Sequence, residues 1–396
     1  MNKLLAGVLG LLLCATLLLG QGAALGTISG RLAPAPFEAD GAGRLRFALD
    51  LPPAGSALYL VRPAAAVGLP QSPPTRFTVL ATGDWKITAG APNVLVLDYG
   101  DLLVAGRRYH DVNTAKANWT IWQADGLDRP AWDHAVQFQT RVFDRNRFLP
   151  SSGFEAAFRF EASTEDALRG LELAVEAPER YRVLVNDHEV SFSAASSWLD
   201  PHLRIVPIEK WARTGLNRIT VQARPFDVRM ELESIYLRGN FSVVPGEKGF
   251  RLAAAKPLEI GSWSAQGYPF YGDSVLYRME VEVPVDSDRM RVELTHWEGS
   301  LAEVLLDDAP AALLAWPPYW AEFSVRPGRH AVSVRVVSTA RNLFGPFHNR
   351  AMPRMRGWIA DWDDFPEQQP PGAGYDVIGY GLMAPPKISV GRGGNP

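Results

Sequence analysis

The amino-acid sequence predicts an all-β fold that contains two tandem β-sandwiches. The chain has 396 residues, of which 35 are Gly, 31 are Pro and 10% are aromatic, a composition that favours strands separated by turns. A run of strand-like segments also occurs twice, as expected for two copies of one domain. The first copy comprises Tyr181–Asp187, Trp198 and Gly215–Gln222, and the second comprises Ala302–Asp308, Trp316 and Gly328–Arg335.

The first 26 residues have the pattern of a secretory signal peptide. Lys3 gives a positive start, residues 4–19 are mostly apolar, and small residues surround a cleavage point after Ala24 or Gly26. The alternative is an uncleaved anchor, although the apolar run is shorter than the roughly 20 residues that a spanning helix needs. The only cysteine, Cys14, lies in this segment, so a mature chain would carry no disulfide. We therefore expect a secreted or periplasmic protein.

Residues 27–148 are predicted to form an additional N-terminal β-rich domain. Arg44–Asp50 and Ala57–Val61 are predicted short strands, and the prolines between them belong in turns because central strands exclude proline. Asn93–Tyr99 is apolar almost throughout, which predicts a strand buried on both faces. Residues 116–148 contain several aromatic residues without a clear period, and we expect mixed structure with one short helix there.

Residues 149–245 are predicted as the first sandwich and residues 246–390 as the second, which ends in a C-terminal extension. Phe154–Glu161 alternates large apolar with polar residues, as a half-exposed strand does, and Val275–Val281 is its counterpart in the second copy. Residues 391–396 are glycine-rich and are predicted to be a disordered tail.

Two Asx pairs are predicted to form hairpin turns at equivalent places in the two copies. These pairs are Asn186-Asp187 and Asp307-Asp308, each between two strand-like segments. Asn and Asp tolerate left-handed backbone and bond to their own main chain, so a turn explains them better than catalysis does.

Composition and motifs exclude several classes of function. The formal net charge is −3, which offers no basic face for nucleic acid. After residue 26 no apolar run is long enough to span a membrane. No Gly-x-Ser-x-Gly elbow and no phosphate-binding loop is present. The sequence therefore favours binding of another kind of molecule over nucleotide or lipase-type chemistry.

Aromatic residues in the second copy form the candidate ligand site. Sugars expose apolar C–H faces ringed by hydroxyl groups, so a site for them combines flat aromatic rings with hydrogen-bonding groups. The alternative is that these aromatic residues are core or inter-domain packing. The candidate ligand-binding residues are Trp316, Tyr319 and Trp320 in one loop, with Trp297 before it and Arg341 and Asn342 after it.

No catalytic residue is assigned from the sequence, and no metal site. A glycosidase needs two carboxyl groups, one of which has a raised pKa. The carboxyl groups that follow strands or neighbour aromatic residues are Asp98, Asp101, Glu298, Glu322 and the Asp361–Asp364 run. All of them also fit ordinary solvated turn residues, and the seven histidines have no ligand spacing. A structural calcium ion held by Asp361, Asp363 and Asp364 is the open alternative.

Four stretches resemble a known family. They are Gln266–Tyr271 with Tyr277, Trp316–Tyr319, Arg341–His348, and Asn93–Tyr99 with Trp132. They resemble the C-terminal accessory region of large secreted bacterial glycoside hydrolases of the rhamnosidase-like kind, whose accessory domains are galactose-binding-like jelly rolls. The resemblance covers about residues 45–388, and it implies jelly-roll sandwiches and a role in sugar biology. Those enzymes carry a catalytic region ahead of these domains, where this sequence has the predicted signal peptide.

Three hypotheses of function follow from the residues and the resemblance. The leading one is a secreted carbohydrate-binding or accessory protein of a glycan-degrading system, non-catalytic by itself, with a polysaccharide or glycan and other proteins of that system as partners. The second is a glycoside hydrolase with carboxylates at a domain junction. The third is a structural or protein-interaction module of the cell envelope, which buried Trp316 and Tyr319 would favour.

Overall fold

The computed structural model describes residues 20–25, 32–34, 37–39, 44–47, 58–63, 76–80, 83–127, 140, 142–144, 148–348 and 364–393. Their fold is all-β, with mainly antiparallel sheets, as predicted from the sequence. Five short strands form two small sheets: β1 (Gly20–Leu25), β2 (Leu32–Pro34), β3 (Phe37–Ala39), β4 (Leu45–Phe47) and β5 (Leu58–Pro63). Strand β1 pairs with β2 and β5, and β3 pairs with β4. Cleavage at the predicted signal site would remove most of β1.

The first of the two sandwiches is built from residues 93–254. Its strands are β8 (Asn93–Leu97), β9 (Tyr99–Val104), β10 (Arg107–Asn113), β11 (Phe154–Ala162), β12 (Glu172–Glu176), β13 (Arg182–Val185), β14 (His188–Val190), β15 (Ser197–Trp198), β16 (Asp200–Pro207), β17 (Gly215–Ala223), β18 (Ile235–Gly239), β19 (Phe241–Pro245) and β20 (Phe250–Ala254). One sheet has the order β10-β9-β11-β17-β13-β14, with β20 between β11 and β19. The other sheet has the order β15-β16-β12-β18-β8. All five residues of β8 are buried, which confirms the strand predicted to be buried on both faces.

The second sandwich is discontinuous in the chain. Its strands are β6 (Arg76–Val79), β7 (Lys86–Ala89), β21 (Ser274–Val283), β22 (Arg289–Glu293), β23 (Trp297–Glu298), β24 (Leu301–Leu306), β25 (Ala309–Leu314), β26 (Trp320–Ser324), β27 (Gly328–Val337), β28 (Gly381–Leu382) and β29 (Lys387–Arg392). The two sheets have the orders β25-β24-β27-β21-β7 and β26-β22-β29-β6, and β23 pairs with β28. We call it the host sandwich, because residues 93–254, the inserted sandwich, lie between its strands β7 and β21.

The repeat is longer than the sequence indicates, because each sandwich takes two further strands from residues 76–104. Strand β9 pairs with β11 as β7 pairs with β21. Strand β8 pairs with β18 as β6 pairs with β29. The predicted boundary at residue 148 therefore does not follow the strand pairing. A pairing between segments some 180 residues or more apart leaves no local pattern, so periodicity could not reveal it.

Short helices connect or follow the strands. Helix α1 (Thr114–Ala124) is the short helix expected in the mixed segment, and Asn113 caps it by accepting a bond from the amide of Ala115 at 3.0 Å. Helix α2 (Arg341–Phe344) opens the C-terminal extension, which we define as residues 341–348 and 364–380. Single 3₁₀ turns occur at Glu165–Leu168, Pro178–Arg180, Glu209–Trp211, Ser264–Gln266 and Gly372–Gly374.

Each sandwich has its own apolar core, and the C-terminal extension joins the core of the inserted sandwich. Leu343, Phe347 and Tyr375 pack in the same cluster as the buried residues of β8 and β18. The prediction of a disordered tail from residue 391 is wrong for Gly391 and Arg392, which end β29. Ile388 and Val390 enter the host core, and this anchors the strand to its end. Residues 394–396 lie outside the described residues.

Both predicted hairpin turns are confirmed. Asn186 and Asp187 join β13 to β14 with φ of 47° and 69°, and Asp307 and Asp308 join β24 to β25 with φ of 51° and 65°. Two successive residues of positive φ form the type I′ turn that fits the right-handed twist of two-residue hairpins.

Candidate functional site

The loop between β25 and β26 exposes two tryptophans of the host sandwich. The side chain of Trp316 is 40% exposed and that of Trp320 is 38% exposed. Large aromatic side chains exposed to this degree are not part of a core, and their solvent-accessible rings are free to contact another molecule. Both residues are thus accessible at the surface, and their role in ligand binding stays a prediction.

Trp320 is part of a stacked row across the outer face of a host sheet. Met290, Val292, Ile388 and Val390 point into the core, so the alternate residues of β22, β26, β29 and β6 point outward. The guanidinium carbon of Arg291 lies 4.4 Å from the ring centroids of both Trp320 and Phe77. Its Nε donates to Glu322 at 2.9 Å, which fixes the plane of the guanidinium. We call this row, Phe77–Arg291–Trp320 with Glu322, the stacked face.

The two other aromatic residues of the predicted site support the loop from behind. The rings of Trp297 and Tyr319 meet edge to face at 5.1 Å, and both are half-buried against the host core. The carbonyl of Tyr319 accepts a bond from the amide of Leu294 at 2.8 Å, so the loop is attached to the end of β22. Trp297 and Tyr319 therefore attach the loop to the host core, and they are less exposed than Trp316 and Trp320.

The structure places Arg341 and Asn342 in the C-terminal extension and not on the stacked face. Asn342 is 0% exposed; its amide group donates to the carbonyl of Ile378 at 2.7 Å, and its oxygen accepts from the amide of Ile378 at 2.8 Å. Arg341 Nη2 donates to the Asp376 carboxylate at 3.0 Å. Both side chains hold the extension together, and we leave them out of the proposed site.

Sequence reasoning missed Phe77 and Arg291. Arg291 lies on β22, which pairs directly with β26 of Trp320, whereas Phe77 lies on β6 and reaches them only because β29 pairs with both β6 and β22. The single signal in the sequence was the alternation of Arg289, Arg291 and Glu293 with apolar residues in β22. That alternation predicts an outward direction for Arg291 but not its neighbours.

The corresponding face of the inserted sandwich also has an arginine stacked on a tryptophan, but this face is covered. Arg238 lies 4.7 Å from the ring of Trp198 and is paired with Glu172 at 2.8 Å. Tyr236 on the same face is buried between Trp198, at 5.6 Å, and Phe344 of the extension, at 6.2 Å. An arginine stacked on a tryptophan is thus covered in the inserted sandwich and accessible to solvent in the host sandwich.

The carboxyl groups considered from the sequence are mostly paired. Asp98 accepts from Tyr375 Oη at 2.7 Å and lies 2.9 Å from His348 Nε2, and all three side chains are buried. Glu322 is held by Arg291, and Glu298 is exposed in β23. Asp364 is exposed, whereas Asp361 and Asp363 lie outside the described residues.

Asp101 does not have the electrostatics of a general acid. Burial alone would raise the pKa of its carboxyl, but the hydrogen bond from the Asp111 amide and the Arg159 guanidinium outweigh burial and hold that pKa below its ordinary value. A glycosidase acid requires a raised pKa. Asp101 therefore stays ionised at neutral pH.

The part of the chain that the structure describes contains neither a metal-ligand cluster nor a membrane-spanning helix. Within the described ranges, no group of three or more His, Cys, Asp or Glu residues could hold a metal ion. No helix among the described residues has the length and apolar character needed to cross a membrane.

Comparisons with known proteins give partial structural matches at low identity. They include a rhamnosidase from Novosphingobium sp. PP1Y (16% identity, TM-score 0.25), a β-D-mannosidase from Dictyoglomus thermophilum (9%, 0.23) and the exo-chitosanase CsxA from Amycolatopsis orientalis (11%, 0.24). The matches cover 60%, 62% and 63% of this chain and 23%, 31% and 29% of those chains, respectively. The chain thus spans less than a third of the length of each. No protein-family model and no curated protein matches the sequence.

Proposed function

We propose that this protein binds carbohydrate through the stacked face and the adjacent Trp316. The observation that carries the proposal is the exposed indole of Trp320, fixed by Arg291 at 4.4 Å on a rigid sheet. Such a ring offers an apolar platform to the C–H face of a sugar at a small cost in conformational entropy. Arg291 and Glu322 add hydrogen-bonding groups for hydroxyls beside that platform.

The shape of the site favours an extended polymer over a single sugar. The stacked face runs across four neighbouring strands, β26-β22-β29-β6, and Val79 beside Phe77 is 54% exposed. Strands lie about 4.8 Å apart, so a face that crosses four of them can contact more than one sugar unit. We therefore propose a polysaccharide or glycan chain as the ligand, which is bound and not cleaved at this face.

Binding to immobilised and soluble polysaccharides tests the proposal. We expect Trp320→Ala and Trp316→Ala each to weaken binding at least about tenfold, since exposed aromatic anchors dominate such interfaces. Leu313→Ala is the matched control, because Leu313 is an equally exposed apolar residue, at 42%, on the preceding strand β25. We expect no change for that variant.

Two results would contradict this proposal. One is a complete lack of binding to plant and bacterial polysaccharides by the folded protein. The other is turnover of aryl glycosides that depends on Glu322, which would replace binding by hydrolysis at the same face.

Secretion is a second part of the proposal, supported by the N-terminal pattern. It is tested by N-terminal sequencing of the mature protein, where an intact Met1 would refute cleavage.

A further inference from the structure

A cavity of about 620 Å³ lies in the inserted sandwich, outside the stacked face. Its walls come from β8, β9, β10, β11, β17 and β20, from the turn that joins β19 to β20, and from Gln369 of the extension. Pockets that hold small molecules usually have volumes of roughly 300–1,000 Å³. No residue of the stacked face lines this cavity. We call it the bulge cavity, after the irregular strand in its wall.

The bulge in β10 directs Asp111 toward the cavity. The pairing of β10 with β9 shifts register between Tyr109 and Val112, and Asp111 has a φ of 57°. A left-handed conformation costs a residue other than glycine on the order of 1 kcal/mol, and it persists only where surrounding contacts enforce it. Bulges of this kind redirect a side chain at the rim of a sheet. Here the backbone amide of Asp111 donates to Asp101 at 3.1 Å.

Two ion pairs line the inner wall. Asp101 is paired with Arg159, and Asp111 is paired with Lys248 at 2.6 Å. The Asp101 and Asp111 side chains are only 9% and 18% exposed, whereas those of Arg159 and Lys248 are 52% and 61% exposed and lie at the solvent side of the wall. An ammonium group has three donors and a guanidinium has five, so both cations retain N–H groups beyond those that the pairs use. The wall therefore presents acceptors and donors side by side.

Aromatic side chains form the apolar part of the cavity. Phe250 is held edge to face by Phe270 at 4.9 Å and by Tyr375 at 5.0 Å. Tyr99 donates its hydroxyl to the carbonyl of Pro366 at 2.8 Å. Burial chiefly, with the Asp98 charge, raises the pKa of Tyr99 well above its ordinary value, so this ring stays neutral.

The lining offers no surplus of positive charge to an anionic ligand. It contains four acidic residues, Asp101, Asp111, Glu161 and Glu247, three basic ones, Arg159, Lys248 and Arg251, and His110, whose Nδ1 lies 3.5 Å from Asp101. A phosphate or carboxylate would need a surplus of positive charge. An apolar ligand would remove solvent from the ion pairs and supply no hydrogen bonds in its place. A neutral molecule with many hydroxyl groups and one apolar face satisfies both the ion pairs and the aromatic rings.

We infer that the bulge cavity binds a single neutral sugar unit, with its hydroxyls on the Asp101–Arg159 and Asp111–Lys248 pairs. This site is separate from the stacked face and does not depend on the function proposed for it. Its volume of about 620 Å³ suits a free monosaccharide or the terminal unit of a glycan, whereas the stacked face suits the middle of a chain.

Ligand-observed NMR and calorimetry on the full chain test this inference with methyl glycosides of D-glucose, D-galactose and D-mannose. Inorganic phosphate and D-glucuronate are the charged comparisons. The variants are Asp111→Asn, which keeps a residue tolerant of positive φ, and Lys248→Met, which keeps the length of the side chain. Lys86→Met, on exposed β7 of the host sandwich, is the matched control. Trp320→Ala separates the two sites.

We expect at least one neutral glycoside to bind, and both cavity variants to weaken it about tenfold or more, as loss of paired hydrogen-bonding groups does. Lys86→Met and Trp320→Ala should leave this affinity unchanged. If the ion-pair variants unfold, Gln369→Ala, a lining residue outside both ion pairs, provides the same test. The inference is overturned if no neutral glycoside binds the folded protein, if phosphate or glucuronate binds better, or if the folded cavity variants bind as the unmodified chain does.

Discussion

The two sandwiches share one framework, and they differ in what lies on it. The hairpin turns show this most closely. Asn186 donates to the backbone of Trp211 and to Asn217 Oδ1, while Asn217 donates to the carbonyl of Arg213. At the equivalent place in the host sandwich, Asp307 faces His330 at 2.7 Å, and His330 faces the carbonyl of Arg326 at 2.8 Å.

The backbone bonds of the two turns are the same. The amide of Asn186 donates to the carbonyl of Arg218 and that of Asp307 to the carbonyl of Ala331, and in both the side-chain oxygen accepts from the facing amide. One turn is therefore closed by neutral amides and the other by a carboxylate and an imidazole. The outer faces differ in a similar way, since the extension covers one and leaves the other open. The backbone hydrogen bonds that the two sandwiches share maintain the common fold. The side chains that differ between them give each sandwich its own polar groups and exposed surface.

The largest effect should come from uncovering the closed face. Asp98→Ala removes the acceptor of two buried donors, Tyr375 Oη and His348 Nε2, and we expect a loss of about 3 kcal/mol in the free energy of unfolding. Glu322→Ala removes the acceptor of Arg291 on the open face, where solvent replaces it, and we expect a loss below about 1 kcal/mol.

Urea unfolding curves measure both changes. Hydrogen exchange locates the first, because amides of residues 372–382 should exchange faster in Asp98→Ala and not in Glu322→Ala. Equal losses of stability in the two variants would contradict the distinction between a covered and an open face.

The next effect separates the two stacked tryptophans. Trp198→Ala removes a half-buried ring between Arg238 and Tyr236, so we expect it to lower stability by about 2 kcal/mol and to leave polysaccharide binding unchanged. Trp320→Ala should do the reverse, with about a tenfold loss of binding and a small change in stability. Affinity electrophoresis and thermal melting of the same preparations give both quantities. If Trp198→Ala loses binding at temperatures where it is folded, the ligand binds the inserted sandwich, which contradicts the proposed site on the host sandwich.

The sequence predicts a structural feature well when the residues that determine it are neighbours in the chain. The turns at Asn186 and Asp307, the strand Asn93–Leu97 and the candidate loop follow from residues adjacent in the chain. The Phe77–Arg291–Trp320 row and the insertion of one sandwich into the other depend on strands far apart in the chain, and no periodicity carries that information. Asn342 was grouped with Trp320 for its side-chain chemistry, but burial of its amide decides its role.

A smaller, pH-dependent effect should distinguish the two turns. The hydrogen bond to Asp307 chiefly raises the pKa of His330, and bonds from the Ala331 amide and His330 lower the pKa of Asp307. The raised histidine pKa stabilises the fold below the ordinary imidazole pKa and loses this effect as pH rises through the raised value. The lowered carboxyl pKa stabilises above the ordinary carboxyl pKa and loses its effect as pH falls through the lowered value. Both contributions are complete in the mildly acidic range between the two ordinary values.

We therefore expect the difference in stability between the unmodified chain and His330→Asn to shrink from about pH 5 to about pH 8. Because Asp307 is largely exposed, the change should stay below about 1 kcal/mol. Urea midpoints at the two pH values measure it. The same comparison for a variant of the neutral turn, Asn186→Ala, should show no such dependence, and a dependence of equal size there would refute the assignment to His330.

The smallest effect is expected when the host turn is given the neutral pair of the inserted one. In the double variant Asp307→Asn with His330→Asn, the new amide at position 307 can donate to the amide oxygen at position 330. The new amide at position 330 can donate to the carbonyl of Arg326. These are the bonds that Asn186 and Asn217 make in the inserted turn. Asn also keeps the positive φ of residue 307. The double variant should lose the pH dependence and recover part of the stability that His330→Asn loses in mild acid, where the single change leaves the Asp307 carboxylate without its cationic partner. Urea midpoints of the single and double variants decide it. If the double variant is less stable than either single variant, the two turns do not share a hydrogen-bond framework. That result would contradict the equivalence of the two sandwiches at their hairpin turns.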